Sequence, residues 1–168
     1  MSFNKKELLA RSLKGKIDWI SIRPQKKAQP QSKASVEVVK DNGLKGDHYA
    51  KVGGKRQVTF IQAEHLKAVA AMLNIETADP RLTRRNIVIS GLNLQAAKDR
   101  RFKIGTAVFE YTGQCYPCSQ MEENFGYGGY HAMRGHGGIT TRVLESGTIH
   151  VGDEVELLPA DESVELPD

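Results

Sequence analysis

The chain contains only two cysteines, Cys115 and Cys118, and they stand three apart in TGQCYPCSQME. A buried structural cysteine normally sits alone among aliphatic side chains. These two lie among Gly, Gln, Pro and Ser, which predicts accessible thiols. Three kinds of chemistry suit such a pair. The first is redox exchange, in which a Cys-x-x-Cys at a helix start lowers one thiol's pKa and the other resolves a mixed disulfide. That motif belongs after the first strand of a βαβ unit, whereas here it follows an antiparallel-looking series of strands. The second is zinc, because Cys115, Cys118, His131 and His136 have the spacing of a two-Cys, two-His finger. A finger needs a helix presenting both histidines over apolar residues. EENFGYGGYHAMRG instead carries three glycines before His131, which argue against a helix there, and Glu122 and Gly128 stand where the apolar positions belong. We read the finger as a coincidence of spacing. The third is a thiolate that ligates a soft metal in a cofactor, or that carries sulfur as a persulfide.

The third chemistry needs cations for the anionic end of its ligand. Arg84, Arg85 and Asn86 open a strand after the turn DPRLTRRN, a place where guanidinium forks and an amide can converge on a phosphate. Two solvated arginines on a strand end are the competing reading. Arg84 or Arg134 would assist a Cys118 thiolate, and Gly137 with Gly138 would let backbone approach the ligand closely. His131, His136 and His48 are read as structural or solvated, and Asp47 as a turn cap.

The elements that must place these groups are mostly strands. A short helical pattern (Phe3, Leu8, Leu9, Leu13) fills residues 1 to 14 as an arm, and Gly15 ends it. KIDWISI then alternates, with Ile17 and Trp19 on one face and Asp18, Ile20 and Ile22 on the other; KASVEVVK repeats the period. Between them RPQKKAQPQS reads as a solvated loop, since two prolines remove donors and cations cluster without apolar company. Leu66, Val69, Ala70 and Leu73 mark one long helix at 63 to 74. KRQVTFI, NIVIS, FKIG, TAVFEYTG, ITTRVLES, TIHV and DEVELLP are short strands between turns, a spacing that favours a mainly β, mostly antiparallel barrel with a few peripheral helices. The acidic tail at 159 to 168 is expected to fray.

Composition bounds the rest. A 168-residue chain can bury a core that folds without disulfides or metal. The charge of +4, from 24 Lys+Arg against 20 Asp+Glu, is too interleaved to imply nucleic acid, and it suits an anionic small ligand. No apolar run approaches membrane-spanning length and no signal-peptide core is present, so a cytoplasmic protein with no membrane partner is expected.

The blocks GKIDWISIRP, GLKGDHYA, KRQVTFIQAE, TRRNIVISGLNL, FKIGTAVFEYTGQCYPCSQME and AMRGHGGITTRVLESGTIHVGDEVEL, in this order, resemble the MOSC domain, named for the C-terminal region of molybdenum cofactor sulfurase, in its short stand-alone bacterial form. The resemblance covers residues 15 to 158 and implies a β-barrel with a few helices. It also implies molybdenum cofactor (molybdopterin) chemistry. Such domains act as sulfur carriers or cofactor-binding modules, and some relatives reduce N-hydroxylated compounds. Cys118 matches the family's hallmark cysteine, a ligand for molybdenum or a nucleophile for sulfur, with Cys115 an additional one. Arg84 and Asn86 match the pattern that contacts the phosphate of the anionic pterin; Gly46, Asp47 and His48 match a further block of no assigned role. A cysteine desulfurase or reductase is the implied partner, and the short arm before Gly15 implies weak or partner-dependent cofactor affinity. The rival class is a non-catalytic β-barrel module whose zinc- or redox-linked Cys pair braces a loop.

Overall fold

The computed structural model describes residues 4–11 and 13–160; the acidic tail expected at 159–168 lies outside the described residues from 161 onward. A short helix, α1 (Lys5–Ala10), is capped by Asn4, whose side chain accepts a hydrogen bond from the Lys6 amide. The helical arm is shorter than its apolar pattern suggested. Strand β1 (Leu13–Ile22) begins before Gly15 and includes it. Pairing overrides the local helical pattern there, because residues 13 to 16 hydrogen-bond to the last strand, β11 (Glu154–Leu157), and so close a barrel.

That barrel has seven strands. Its order is β11, β7 (Arg101–Ile104), β8 (Ala107–Gln114), β9 (Ile139–Glu145), β5 (Val58–Gln62), β6 (Ile87–Ser90) and β1, which returns to β11. Every pair is antiparallel except β5 and β6. A parallel pair needs a crossover, and α2 (Ala63–Leu73) with the 3-10 turn at Pro80–Thr83 supplies it. A small second sheet joins β3 (Ser35–Val39), β4 (Gly43–Leu44) and β10 (Gly147–His150). Among the described residues no helix is long and apolar enough to cross a membrane.

Two apolar clusters meet across β5 and β6. Inside the barrel Phe60 stands edge-on to Phe102 and Phe109 at 4.9 and 5.1 Å, with Ile17, Ile20, Ile87 and Ile89 around them. Outside it, Ile61 and Val88 from the other face of the same strands pack under α2 with Met121 and Met133. Burial on both faces explains why these strands read as continuous apolar runs. Strict alternation fails in β1. A bulge between Ile17 and Trp19 advances the register by one residue, so Ile17 and Ile20 both enter the barrel while Trp19 joins the outer cluster. The segment expected to be a solvated loop also departs from that reading. Gln31–Lys33 forms the edge strand β2 against the end of β1, and Arg23 is buried.

Candidate functional site

Strand ends converge at one end of the barrel on an open cleft of about 230 Å³. Arg23 follows β1, Thr59 lies in β5, Arg84, Arg85 and Asn86 lead into β6, Cys115 follows β8, and Thr140 lies in β9. Cys118 reaches the same cleft just before helix α3 (Gln120–Phe125), whose Met121 forms part of the floor. Four arginines line it, Arg56 being the fourth, and no carboxylate does. Among the described residues none of the four is ion-paired. Unpaired guanidinium groups around two free thiols give the cleft a standing attraction for an anion.

The half-buried Arg84 occupies a left-handed backbone conformation (φ 63°, ψ 23°) at the end of the 3-10 turn. From there its guanidinium donates to Gln120 Oε1 and, at 3.0 Å, to the Tyr49 hydroxyl. Both acceptors are neutral, so an anion could replace them without breaking an ion pair. Arg85 also lines the cleft, but its Nε donates to Gly137 O at 2.7 Å and a second nitrogen to Thr83 O at 3.0 Å. It is spent on holding the loop that ends at β9. Asn86 is buried, and its Oδ1 accepts from the Thr59 amide and hydroxyl at 3.0 Å each, while Nδ2 donates to Ser21 O at 3.3 Å. One Nδ2 hydrogen remains for a ligand, the other contacts being a tie among β1, β5 and β6.

The most informative residue that the sequence reading left as a turn cap is Asp47. Its carboxylate is buried and accepts the Arg23 amide at 2.8 Å and the Tyr49 amide at 3.3 Å. The Arg23 guanidinium carbon sits 4.8 Å from the centre of the Tyr49 ring, and the Tyr49 hydroxyl accepts from Arg84. One carboxylate therefore fixes the backbone of two cleft residues, and a cation–π contact and a hydrogen bond extend the set to a third. Arg23, Arg56 and Tyr49 were all missed as site residues. Arg23 and Arg56 flank the apolar runs of β1 and β5 as Arg84 flanks β6, so cations bordering strands were the available signal.

The structure brings Arg84, Asn86, Cys115 and Cys118 into one cleft; it does not bring Arg134 there, which is exposed at the end of helix α4 (Gly129–Met133). Gly137 and Gly138 approach backbone: a Cβ on Gly137 would meet Cys115 O at 2.2 Å, and one on Gly138 would meet Phe60 O at 1.9 Å. Helix α4 itself corrects the expectation that glycines exclude a helix at His131. The Glu122 carboxylate accepts the Gly128 and Tyr130 amides at 3.1 and 2.7 Å, satisfying the helix start, and Ala132 and Met133 are buried beneath it. Even so the four finger residues do not converge. His131 is exposed against Tyr130, and His136 packs on His65 with ring centres 4.9 Å apart. No cluster of three or more metal-ligating His, Cys, Asp or Glu side chains occurs among the described residues.

The two thiols differ in setting. Cys118 is exposed and Cys115 partly buried, and burial pushes the Cys115 thiol up against the opposing pull of Arg85 and Arg56. Limiting iodoacetamide near pH 7.5 is expected to label Cys118 several-fold faster than Cys115, read by peptide mass mapping. Raising the pH toward the elevated Cys115 pKa should narrow the gap, since the thiolate is the species that reacts. Preferential labelling of Cys115 at pH 7.5 would reverse the assignment.

Comparisons with known proteins identify the family and the fold. The MOSC domain family matches residues 45–156, two thirds of the sequence, and the chain belongs to that family. The YuaD protein from Bacillus subtilis has a similar fold, with a TM-score of 0.78 at 18% identity over 88% of this chain and 97% of that one. YiiM from Geobacillus stearothermophilus gives 0.67 at 19% identity over 86% and 75%, and YiiM from Escherichia coli 0.63 at 16% over 91% and 72%. No curated protein sequence matches the chain significantly. MOSC domains are associated with molybdenum cofactor binding or sulfur-related function.

Proposed function

We propose that this protein holds the molybdenum cofactor in the cleft, with Cys118 as the soft ligand to the metal and Arg84 at the anionic end of the pterin. The observation that carries the reading is the lining itself: an exposed thiol and four arginines free of ion pairs, with no carboxylate to repel a phosphate. When bound, the cofactor supplies two-electron oxo-transfer chemistry, the class that reduces N-hydroxylated compounds. The chain's own part is positioning. Asp47 holds Arg23 and Tyr49, Tyr49 aims Arg84, and Asn86 fixes the start of β6 against β5 and β1 while offering one amide hydrogen. The cleft, at about 230 Å³, is smaller than the roughly 300–1,000 Å³ typical of sites that enclose a whole ligand. It fits the reacting end of a cofactor whose remainder lies along the surface, in keeping with modest affinity.

Metal analysis of the protein made in a cofactor-producing host tests this reading. Molybdenum is expected in a substantial fraction of wild-type chains. Arg84→Lys keeps the charge and loses the two-pronged fork, so it should weaken retention by about one to two decades, the equivalent of a charge-assisted hydrogen bond of roughly 1.5–3 kcal/mol. Wild-type protein that carries cyanide-labile sulfur and no molybdenum would replace the cofactor reading with that of a sulfur carrier. Equal molybdenum content in wild type and Arg84→Ala would remove Arg84 from the site.

A further inference from the structure

Beyond Arg56 and Tyr116 the cleft opens into a second compartment of about 430 Å³. The two share Arg56, Tyr116 and Thr140, and the second adds Lys55, Tyr111 and Gln114. No carboxylate lines it, and among the described residues neither Lys55 nor Arg56 is ion-paired. Its neutral polar groups are already committed. Thr112 donates to Lys55 O and shares a hydrogen bond with Thr140 at 2.9 Å, and Gln114 Nε2 donates to Gln95 at 2.7 Å. What remains for a ligand is two cations and two phenol rings. Tyr116 is 79% exposed at the divide, where its ring is free to turn over a ligand, while Tyr111 is half-buried.

We propose that this compartment is a second ligand site, which takes a small aromatic anion as the substrate presented to the first cleft. Lys55 and Arg56 hold the charged group, and Tyr111 and Tyr116 contact the ring. Arg56 borders both compartments, whereas Arg84 and Arg23, beside Tyr49, line only the first and Lys55 only the second. A substrate held by Lys55 does not compete for Arg84 or Arg23. The inference rests on the cofactor reading for what happens to the substrate and is independent of it for binding.

The test therefore uses the full chain without added cofactor. Benzoate, benzyl alcohol and acetate are titrated separately by calorimetry or by chemical-shift changes. Benzoate is expected to saturate at least tenfold more tightly than either the neutral ring or the anion without a ring. Lys55→Gln and Arg56→Gln, both at exposed positions, should each weaken benzoate at least five-fold, and Tyr111→Leu should do the same. Arg84→Ala should leave benzoate affinity within a factor of two. Benzoate binding no better than benzyl alcohol or acetate overturns the proposal, as does indifference to Lys55→Gln and Arg56→Gln. Loss of benzoate with Arg84→Ala would place the anion in the first cleft and also overturn it. Molybdenum retention with no benzoate site would sink this inference alone, and benzoate binding without molybdenum would sink the cofactor reading alone.

Discussion

Gly138→Ala is expected to destabilise the protein by on the order of 3–5 kcal/mol, a larger loss than the same change at any other glycine should cause. Gly138 has φ +83°, a conformation an L side chain adopts only under strain, and the added Cβ would lie 1.9 Å from Phe60 O and 3.0 Å from Ile61 Cα. Those atoms are backbone of β5, so no side chain can swing aside; β9 must part from β5 at its first pair, Phe60 with Ile139. Strain of this kind costs about 1–3 kcal/mol and forced overpacking about as much again. The melting temperature should fall by roughly 6–20 °C for a chain of this size. Gly135→Ala is the control, since its φ is +76° but nothing lies within 4 Å of the added atom. It should show the backbone strain alone, and a Gly138→Ala protein melting within about 3 °C of it would refute the close-approach argument. The effect would reach the site as well, because the Cys115 amide donates to Gly138 O at 2.9 Å.

The same contact shows where sequence reasoning stopped. Gly137 and Gly138 stood out as places for close approach, but a sequence does not say what approaches, and the neighbours the structure shows are the backbone oxygens of Cys115 and Phe60. Short apolar runs between turn residues were enough to locate the seven barrel strands, and helical spacing of apolar residues was enough to locate α2. They did not settle which side chains of β1 face inward, where the bulge after Ile17 moves Ile20 into the barrel, nor the parallel pairing of β5 with β6, which depends on the crossover above them. Arg84, Asn86 and Cys118 were legible through types and order along the chain. Arg23, Arg56 and Asp47 were not, since much of what surrounds them is distant along the chain: Asp47 meets Arg23 across 24 residues, and Arg23 shares the cleft with Tyr116. A buried carboxylate whose partners are main-chain amides leaves no pattern in side-chain types.

Cys118→Ser is expected to lower retained molybdenum at least tenfold, while Cys115→Ser keeps more than half of the wild-type content. The asymmetry follows from setting rather than from motif, because both residues are cysteines of one Cys-x-x-Cys. A soft metal binds thiolate sulfur, and a serine hydroxyl is hard and stays protonated near neutral pH, so the exchange removes the ligand while nearly preserving shape. Cys118 offers its sulfur at the exposed mouth of the cleft, in a loop whose geometry Pro117 restricts. Cys115 is anchored through its amide and partly buried, and burial holds its thiol protonated through pH 7 and above. Neutral sulfur there fills space, which the smaller oxygen of serine does almost as well. Equal loss from both variants would mean that the two sulfurs act together, and retention by Cys118→Ser with loss from Cys115→Ser would exchange their roles. In the proposed arrangement Arg84 takes the other end of the ligand, and its own hydrogen bonds run to Gln120 and Tyr49 rather than to either cysteine; Cys118→Ser combined with Arg84→Ala should then lose molybdenum by the product of the two single effects if the cofactor spans the cleft.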